Sequence, residues 1–264
     1  MKDLRALLSG AALLLAASIL AGCAATRPQR APLGDGEERI IGARLAAVVH
    51  VENRSTGDPV VTDYVRSLGE RIARLSDRPG IPYTFEVIAD PAPRAFALPG
   101  GYLYVSTGLL TRLDSEAEVA GVLSHGLAHV AAKHPMSRIL EVMGRSGVEA
   151  ILTSPRSGEV TPAMRRGLET VLAGYPRDIE LEADKLGLLF TTRVALNPEG
   201  LVRAMENVDA ASGGSGAFWE GLSKGAPDQG RRIAALKAEV KTLGLDAGLP
   251  YNRERYAPIK ARLR

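Results

Sequence analysis

Three of the four histidines in this sequence, His125, His129 and His134, lie within ten residues of one another. On a helix, the four-residue spacing of His125 and His129 places the two imidazoles about 40° apart on one face, so both can bind one metal ion. Imidazole nitrogen suits Zn²⁺, which needs a third protein ligand and a water molecule to form a catalytic-type site. His134 would lie about 140° around a continued helix from His129, so we expect it to cap the helix or to pack.

A second segment, residues 180–184, supplies carboxylates at the same spacing. Glu180 and Asp184 share one face of a predicted helix, whereas Glu182 lies on nearly the opposite face. One of the two carboxylates on the shared face can complete the metal shell, while the other orients a ligand histidine through its second ring nitrogen. A structural cluster of packed polar residues is the alternative.

The elements that must position these side chains are mostly helices. Ser115 and Glu118 form a Ser-x-x-Glu capping box in front of an apolar run, which predicts that the histidine helix begins near residue 115. Apolar residues at helical spacing predict further helices, separated by proline and glycine residues. Their predicted bounds are Glu37–His50, Pro59–Leu75, 135–152, 162–174, 177–194, 198–210 and 229–242.

One β region precedes the histidine helix. Residues Tyr83–Ile88 alternate as in a strand, and the segments Ala95–Leu98 and Tyr102–Ser106 flank Pro99-Gly100-Gly101, which is typical of a hairpin. We therefore predict an α+β fold of one domain, mostly helical with a small antiparallel-type sheet.

The N-terminus has the pattern of a bacterial export signal. Lys2 and Arg5 precede an apolar stretch over residues 6–20. Residues 20–23, Leu-Ala-Gly-Cys, resemble the lipobox of bacterial lipoproteins, whose cysteine carries lipid; a plain cleaved signal is the alternative. The predicted organisation is a signal peptide over 1–22, a flexible tether over 23–36 that starts at lipidated Cys23, and a folded domain over 37–264.

The residue after this cysteine bears on location. Ala24 stands where lipoproteins that stay in the inner membrane commonly carry aspartate. The resemblance therefore implies a protein anchored through Cys23 on the periplasmic side of the envelope, at the outer membrane in preference to the inner.

Composition excludes several classes of protein. The chain has 264 residues, of which 45% are hydrophobic and 24% charged, so it is neither disordered nor fibrous. Its formal net charge of +3 is spread over many residues of both signs and creates no basic field, which argues against a nucleic-acid partner. A single cysteine allows no disulfide within the chain, so stability must come from the core.

Three segments resemble successive landmarks of one family: the hairpin Phe96–Tyr102, the helix Ser115–His134 and residues Arg177–Asp184. The family comprises the zinc metalloendopeptidases related to the CAAX prenyl proteases and the membrane heat-shock protease HtpX, in particular their periplasmic lipoprotein members of the BepA type. The resemblance spans roughly residues 40 to 240. It implies a zincin-like metallopeptidase fold over the domain 37–264 and one zinc ion. The implied ligands are His125, His129 and Glu180, with Asp184 orienting a ligand from behind.

The family motif has glutamate directly after the first histidine, where it takes a proton from the metal-bound water. Here that position is Gly126, which has no side chain to accept a proton, so no catalytic residue is carried over. Loss of a general base costs about 10²- to 10⁴-fold in rate. Two further departures are Arg94 in place of the family's usual Asn, and the segment Ser223–Pro227, which lacks the histidine of a Ser-Thr-His-Pro motif.

The remaining expectation concerns substrate. In the related proteases the strand beside the hairpin receives an extended polypeptide, so the resemblance implies a groove for unfolded or extended chains at Leu98, Pro99, Gly100, Gly101 and Tyr102. We predict a zinc metalloendopeptidase-like envelope lipoprotein of reduced or lost proteolytic activity that acts in protein quality control or outer-membrane assembly. The alternatives are an active metalloendopeptidase that degrades misfolded envelope proteins, and a non-enzymatic peptide-binding chaperone on the same scaffold.

Overall fold

The computed structural model describes residues 33–155, 159–211 and 229–263. Most of these residues are helical, and three short strands lie in the N-terminal half of the chain. In chain order the elements are α1 (Asp35–Glu52), α2 (Pro59–Ala73), β1 (Thr84–Ile88), β2 (Ala95–Leu98), β3 (Tyr102–Ser106), α3 (Thr107–Leu110), α4 (Glu116–Ala131), α5 (His134–Leu152), α6 (Pro162–Leu172), α7 (Arg177–Arg193), α8 (Gly200–Ala211), α9 (Gln229–Thr242) and α10 (Arg253–Ala261).

The predicted helices are present, with ends within a few residues of the predicted ones. Ser115 caps α4, because its side chain accepts a hydrogen bond from the backbone N–H of Glu118. Helix α1 begins at Asp35, two residues inside the segment predicted as tether. Two short helices, α3 and α10, were not predicted. The predicted lipobox and the segment Ser223–Pro227 lie outside the described residues.

The prediction of an antiparallel-type sheet was only partly right, because the sheet is mixed. Its strand order is β1-β3-β2. Strands β2 and β3 pair antiparallel as the predicted hairpin, but β1 pairs parallel to β3, with Thr84 opposite Tyr102. The turn residues determine only the hairpin. The partner of β1 depends on tertiary packing, which places β1 on the far side of the almost fully buried β3.

Helix α4 runs through the centre of the core. Every residue from Glu116 to Val130 is buried except Gly126, and the helix packs mainly against α7 and α8. Helix α7 approaches closely at Gly187, where a Cβ would lie 3.1 Å from the backbone nitrogen of His125. This contact brings the carboxylate helix next to the histidine helix.

Helix α1 covers the turn of the hairpin. A Cβ at Gly42 would lie 1.9 Å from the carbonyl oxygen of Pro99, so only glycine permits this approach. The buried Glu38 carboxylate accepts a hydrogen bond from the backbone N–H of Gly100, and the Arg39 guanidinium donates to the carbonyl of Gly100. The turn is therefore held rigidly beneath α1.

The residues from Gly34 onward form one compact unit. Within the described residues, the structure contains no helix that is both long enough and apolar enough to span a bilayer.

Candidate metal centre

The structure brings His125, His129 and Glu180 together in the core. Nε2 of His125 lies 3.1 Å from Nε2 of His129, and the Glu180 carboxylate oxygens lie 3.6 Å and 3.7 Å from these two nitrogens. Ligands about 2.0–2.1 Å from a tetrahedral zinc ion are separated from one another by about 3.3 Å. The three donors are thus spaced as a metal ion requires, and all three residues are buried.

Asp184 and Arg232 support the ligands from behind. Oδ1 of Asp184 lies 2.9 Å from Nδ1 of His125, which leaves Nε2 of that histidine for the metal. Arg232 donates from Nε and from a terminal nitrogen to the two oxygens of Asp184, each at 2.7 Å. Its terminal nitrogen also lies 2.8 Å from Oε2 of Glu180.

The electrostatics of the cluster favour a neutral His129 and an ionised Asp184. Burial, and then the neighbouring His125, His134 and Arg232, hold the pKa of His129 well below its usual value. Burial alone would raise the pKa of Asp184, but Arg232 and His125 lower it overall. Burial raises the pKa of Glu180 despite the nearby Arg232 guanidinium. A dication would stabilise the ionised form of Glu180, because opposite charge favours ionisation.

His134 approaches the centre more closely than helical spacing predicts. It does not belong to the ligand group, as expected, but its Nδ1 lies 3.1 Å from Nδ1 of His129. The prediction assumed one continuous helix, whereas the chain reverses at Lys133 (φ 59°, ψ 24°) and a new helix starts at His134. Glu182, 56% exposed, faces the other ring nitrogen of His134 at 3.5 Å.

Gly126 opens into a small cavity beside the ligands. The cavity has a volume of about 40 Å³ and has a mainly apolar wall, formed by strands β2 and β3, α4 and Tyr175. A Cβ at Gly126 would lie 3.0 Å from the Cδ2 methyl of Leu103 and 3.9 Å from Cβ of Ala97. Among the described residues, Glu180 is the only carboxylate that lines this cavity.

The predicted groove residues lie beside this cavity and not in it. Residues Leu98–Gly101 are buried beneath α1, and the Tyr102 ring carries the Arg39 guanidinium 4.0 Å above its centre. The part of the hairpin that lines the cavity is Ala95–Ala97. Helix α1, whose packing the sequence did not reveal, covers the glycine turn, and the groove at Leu98–Tyr102 stays a prediction.

Arg94, one of the departures from the family pattern, and the two glutamates at the start of α4 have structural partners. Arg94 pairs with Asp90 at 3.1 Å on the exposed side of the hairpin. Glu116 pairs with Arg71, and Glu118 accepts hydrogen bonds from the start of its own helix, including the Ser115 hydroxyl. Neither glutamate is available to replace a missing base at Gly126.

Sequence reasoning missed two residues of this site. Arg232 is buried at 1% exposure, on the same face of α9 as Leu236 and Val240. A single cationic residue on the apolar face of a helix predicts a buried acidic partner, so the sequence of α9 contained a signal for this residue. Tyr175 stacks on the His129 ring with centres 4.4 Å apart, and its hydroxyl has no hydrogen-bond partner among the described residues.

Comparison with known proteins gives consistent matches. A model of peptidase family M48 matches residues 59–240. The mitochondrial metalloendopeptidase OMA1 of Schizosaccharomyces pombe is 32% identical over 158 residues, covering 59% of this chain and 46% of that protein. The putative beta-barrel assembly-enhancing protease of Vibrio cholerae is 29% identical over 164 residues, covering 58% and 34%. The beta-barrel assembly-enhancing protease of Escherichia coli K12 is 25% identical over 187 residues, covering 67% and 38%. The chain therefore spans between a third and a half of the length of these relatives.

Proposed function

Since the chain belongs to peptidase family M48, we propose that it is a zinc-binding, metallopeptidase-like protein of the bacterial envelope that has lost most of its peptidase activity and binds extended polypeptide. The family is zinc-dependent, and the donor set of His125, His129 and Glu180 fits that metal. When bound, zinc would polarise a carbonyl or acidify a water molecule beside these ligands.

The observation that carries the loss of activity is Gly126. It is the one residue of α4 between Glu116 and Val130 that is not buried, it lines the cavity, and it offers no group to accept a proton. The Leu103 methyl group occupies the space next to the position of the missing side chain. No carboxylate other than Glu180 lines the cavity in the described part of the chain, so these residues offer no general base beside the ligands.

Peptide binding is supported by the hairpin strand β2, which lies at one edge of the sheet. The backbone N–H of Ser106 donates to the carbonyl of Arg94, and hydrogen-bonded pairs alternate along an antiparallel ladder. The N–H and C=O groups of Ala95 and Ala97 therefore face away from β3. An extended chain can add to this edge by backbone hydrogen bonds without any catalytic glutamate.

A second candidate function is an active metalloendopeptidase. The intact donor spacing and the 2.9 Å contact between Nδ1 of His125 and Oδ1 of Asp184 favour it, because a metal ion held in this way can by itself lower the pKa of a bound water molecule. Its hydrolysis would be slow, since the described residues place no carboxylate other than Glu180 at the cavity to transfer the proton to the leaving amine.

The envelope location rests on the predicted signal and lipid site at Cys23 and on the similarity to the beta-barrel assembly-enhancing proteases. Within the envelope, a protein that holds extended chains without cutting them fits a role in protein quality control or in outer-membrane assembly. Cys23 would keep this activity at the membrane surface.

The test uses the full-length protein purified in detergent. Zinc per chain is measured first, followed by binding and cleavage of a fluorescently labelled unfolded casein, with His125→Ala/His129→Ala as the metal-free control. We expect one zinc per chain, measurable binding and little cleavage. Chelator-sensitive cleavage at the rate of an ordinary metallopeptidase would establish the second candidate, and absence of both zinc and binding would refute the proposal.

A further inference from the structure

We infer that His134 is a positioning residue of the metal centre, which accepts a hydrogen bond from His129 and so determines which nitrogen of His129 faces the metal. The inference rests on the metal site of the proposed function. It does not depend on whether the protein cleaves or binds polypeptide.

The direction of the hydrogen bond follows from the ligand geometry. Nε2 of His129 faces His125 and Glu180, at 3.1 Å and 3.7 Å. A nitrogen that binds a metal carries no proton, so the proton of His129 must be on Nδ1. Nδ1 lies 3.1 Å from Nδ1 of His134, which must therefore act as the acceptor.

The same reasoning determines the protonation of His134. With Nδ1 accepting, a neutral His134 carries its proton on Nε2, and this nitrogen faces the Glu182 carboxylate at 3.5 Å. One set of tautomers thus satisfies both contacts of His134, the one with Glu182 and the one with His129. On the other side of the site, Asp184 contacts the second ring nitrogen of His125 in a similar way.

The backbone is built to bring His134 to this position. Helix α4 ends at Ala131, and Lys133 adopts a left-handed conformation that costs energy for any residue other than glycine. The Lys133 ammonium lies 2.8 Å from Asp35 and 3.7 Å from the buried Glu38, which ties the reversal to α1. The chain can then turn His134 back onto the preceding helix.

The two supports differ in charge. His125 is held by a buried carboxylate that Arg232 fixes, whereas His129 is held by a buried imidazole whose own partner, Glu182, is largely exposed. Removing His134 therefore changes orientation and hydrogen bonding at His129 and leaves no buried charge unpaired. Partners that orient metal ligands typically contribute 10- to 100-fold to metal affinity.

The test compares three substitutions of one residue in the full-length protein. In His134→Asn the side-chain oxygen takes the place of Nδ1 and can accept the hydrogen bond. In His134→Gln the polar end group lies near the position of Nε2, and His134→Leu has no acceptor. Zinc affinity is measured by competition with a chromophoric chelator, and the visible spectrum of the cobalt-loaded protein reports the ligand geometry.

We expect His134→Leu and His134→Gln to weaken zinc binding by about 10- to 100-fold and to alter the cobalt spectrum. His134→Asn should remain within about threefold of the unmodified protein, as retention of the acceptor predicts. Thermal unfolding of the metal-free proteins shows whether each variant folds, and if His134→Leu does not, the Asn and Gln variants still decide. Equal affinity in all variants, or equal loss in Asn and Gln, would overturn the inference. Failure of the unmodified protein to bind zinc would instead overturn the metal site itself.

Discussion

Introducing glutamate at position 126 tests whether this glycine alone limits hydrolysis. In Gly126→Glu the new side chain is attached to α4 between the two histidine ligands, and its carboxylate enters the cavity beside them. A general base contributes about 10²- to 10⁴-fold to rate, so we expect cleavage of an unfolded protein to rise by about that factor in the zinc-loaded variant.

The structure also gives the cost of this substitution. The new Cβ would lie 3.0 Å from Cδ2 of Leu103, which must move by a few tenths of an ångström, and it would make ordinary contact with Ala97. Overpacking of this kind destabilises by about 1–3 kcal/mol. Replacing a helical glycine returns roughly 0.5 kcal/mol. These two contributions together lower the free energy of unfolding by up to about 2.5 kcal/mol, and desolvation of the new carboxylate in the metal-free protein adds to this cost.

The assay is release of fluorescent peptides from labelled unfolded casein, with each variant at equal zinc content. Gly126→Gln is the matched control, because glutamine has the same shape as glutamate and accepts no proton at neutral pH. The reasoning fails if the glutamate variant, folded and zinc-loaded, cleaves no faster than the glutamine variant. It also fails if the unmodified protein already matches the glutamate variant.

Three further predictions concern the surroundings of the site, and a fourth concerns the predicted lipid anchor. Ala97→Pro removes an outward N–H from an edge strand and should weaken binding of unfolded casein at least tenfold while leaving the melting temperature within a few degrees, by fluorescence anisotropy and calorimetry. Arg232→Met leaves Asp184 buried without its cation and should cost about 3–5 kcal/mol in urea unfolding. The pKa of His129 is lowered in the folded state, so below the ordinary histidine pKa the unfolded chain binds more protons than the folded one. The metal-free protein should therefore lose stability as the pH falls below about 6.5, by at most about 1.4 kcal/mol per pH unit. Cys23→Ser should move the protein from the membrane fraction to the soluble fraction on cell fractionation.

The helices were predictable because their signals are local. The capping box at Ser115 correctly predicted the start of α4, and the spacing of apolar residues correctly predicted α7. The partner of β1 was not predictable, since the alternation of residues in a strand is the same for parallel and antiparallel pairing. The placement of α1 over the hairpin turn depends on the contact of Gly42 with Pro99, which lies 57 positions along the chain.

The candidate site, too, was predictable from the sequence only in part. The four-residue spacings predicted that His125 and His129 share a face, as do Glu180 and Asp184, and the structure brings the two faces together. The position of His134 could not follow from spacing, because one left-handed residue, Lys133, interrupts the helix on which the argument relied.

Retention of the ligands without the base has a physical explanation. Glu180 and Asp184 bring two buried carboxylates to the site and Arg232 brings one cation, so the cluster without metal carries one uncompensated negative charge when Glu180 is ionised. A bound divalent metal ion would change this net charge from one negative to one positive, next to the neutral imidazoles. Loss of a histidine ligand, and with it the metal, would leave that buried negative charge uncompensated, whereas loss of a glutamate at position 126 removes a charge from the cavity wall and needs no compensation. Under the proposed loss of activity, selection for a folded, metal-bound domain would therefore preserve the ligands after selection for hydrolysis had ended.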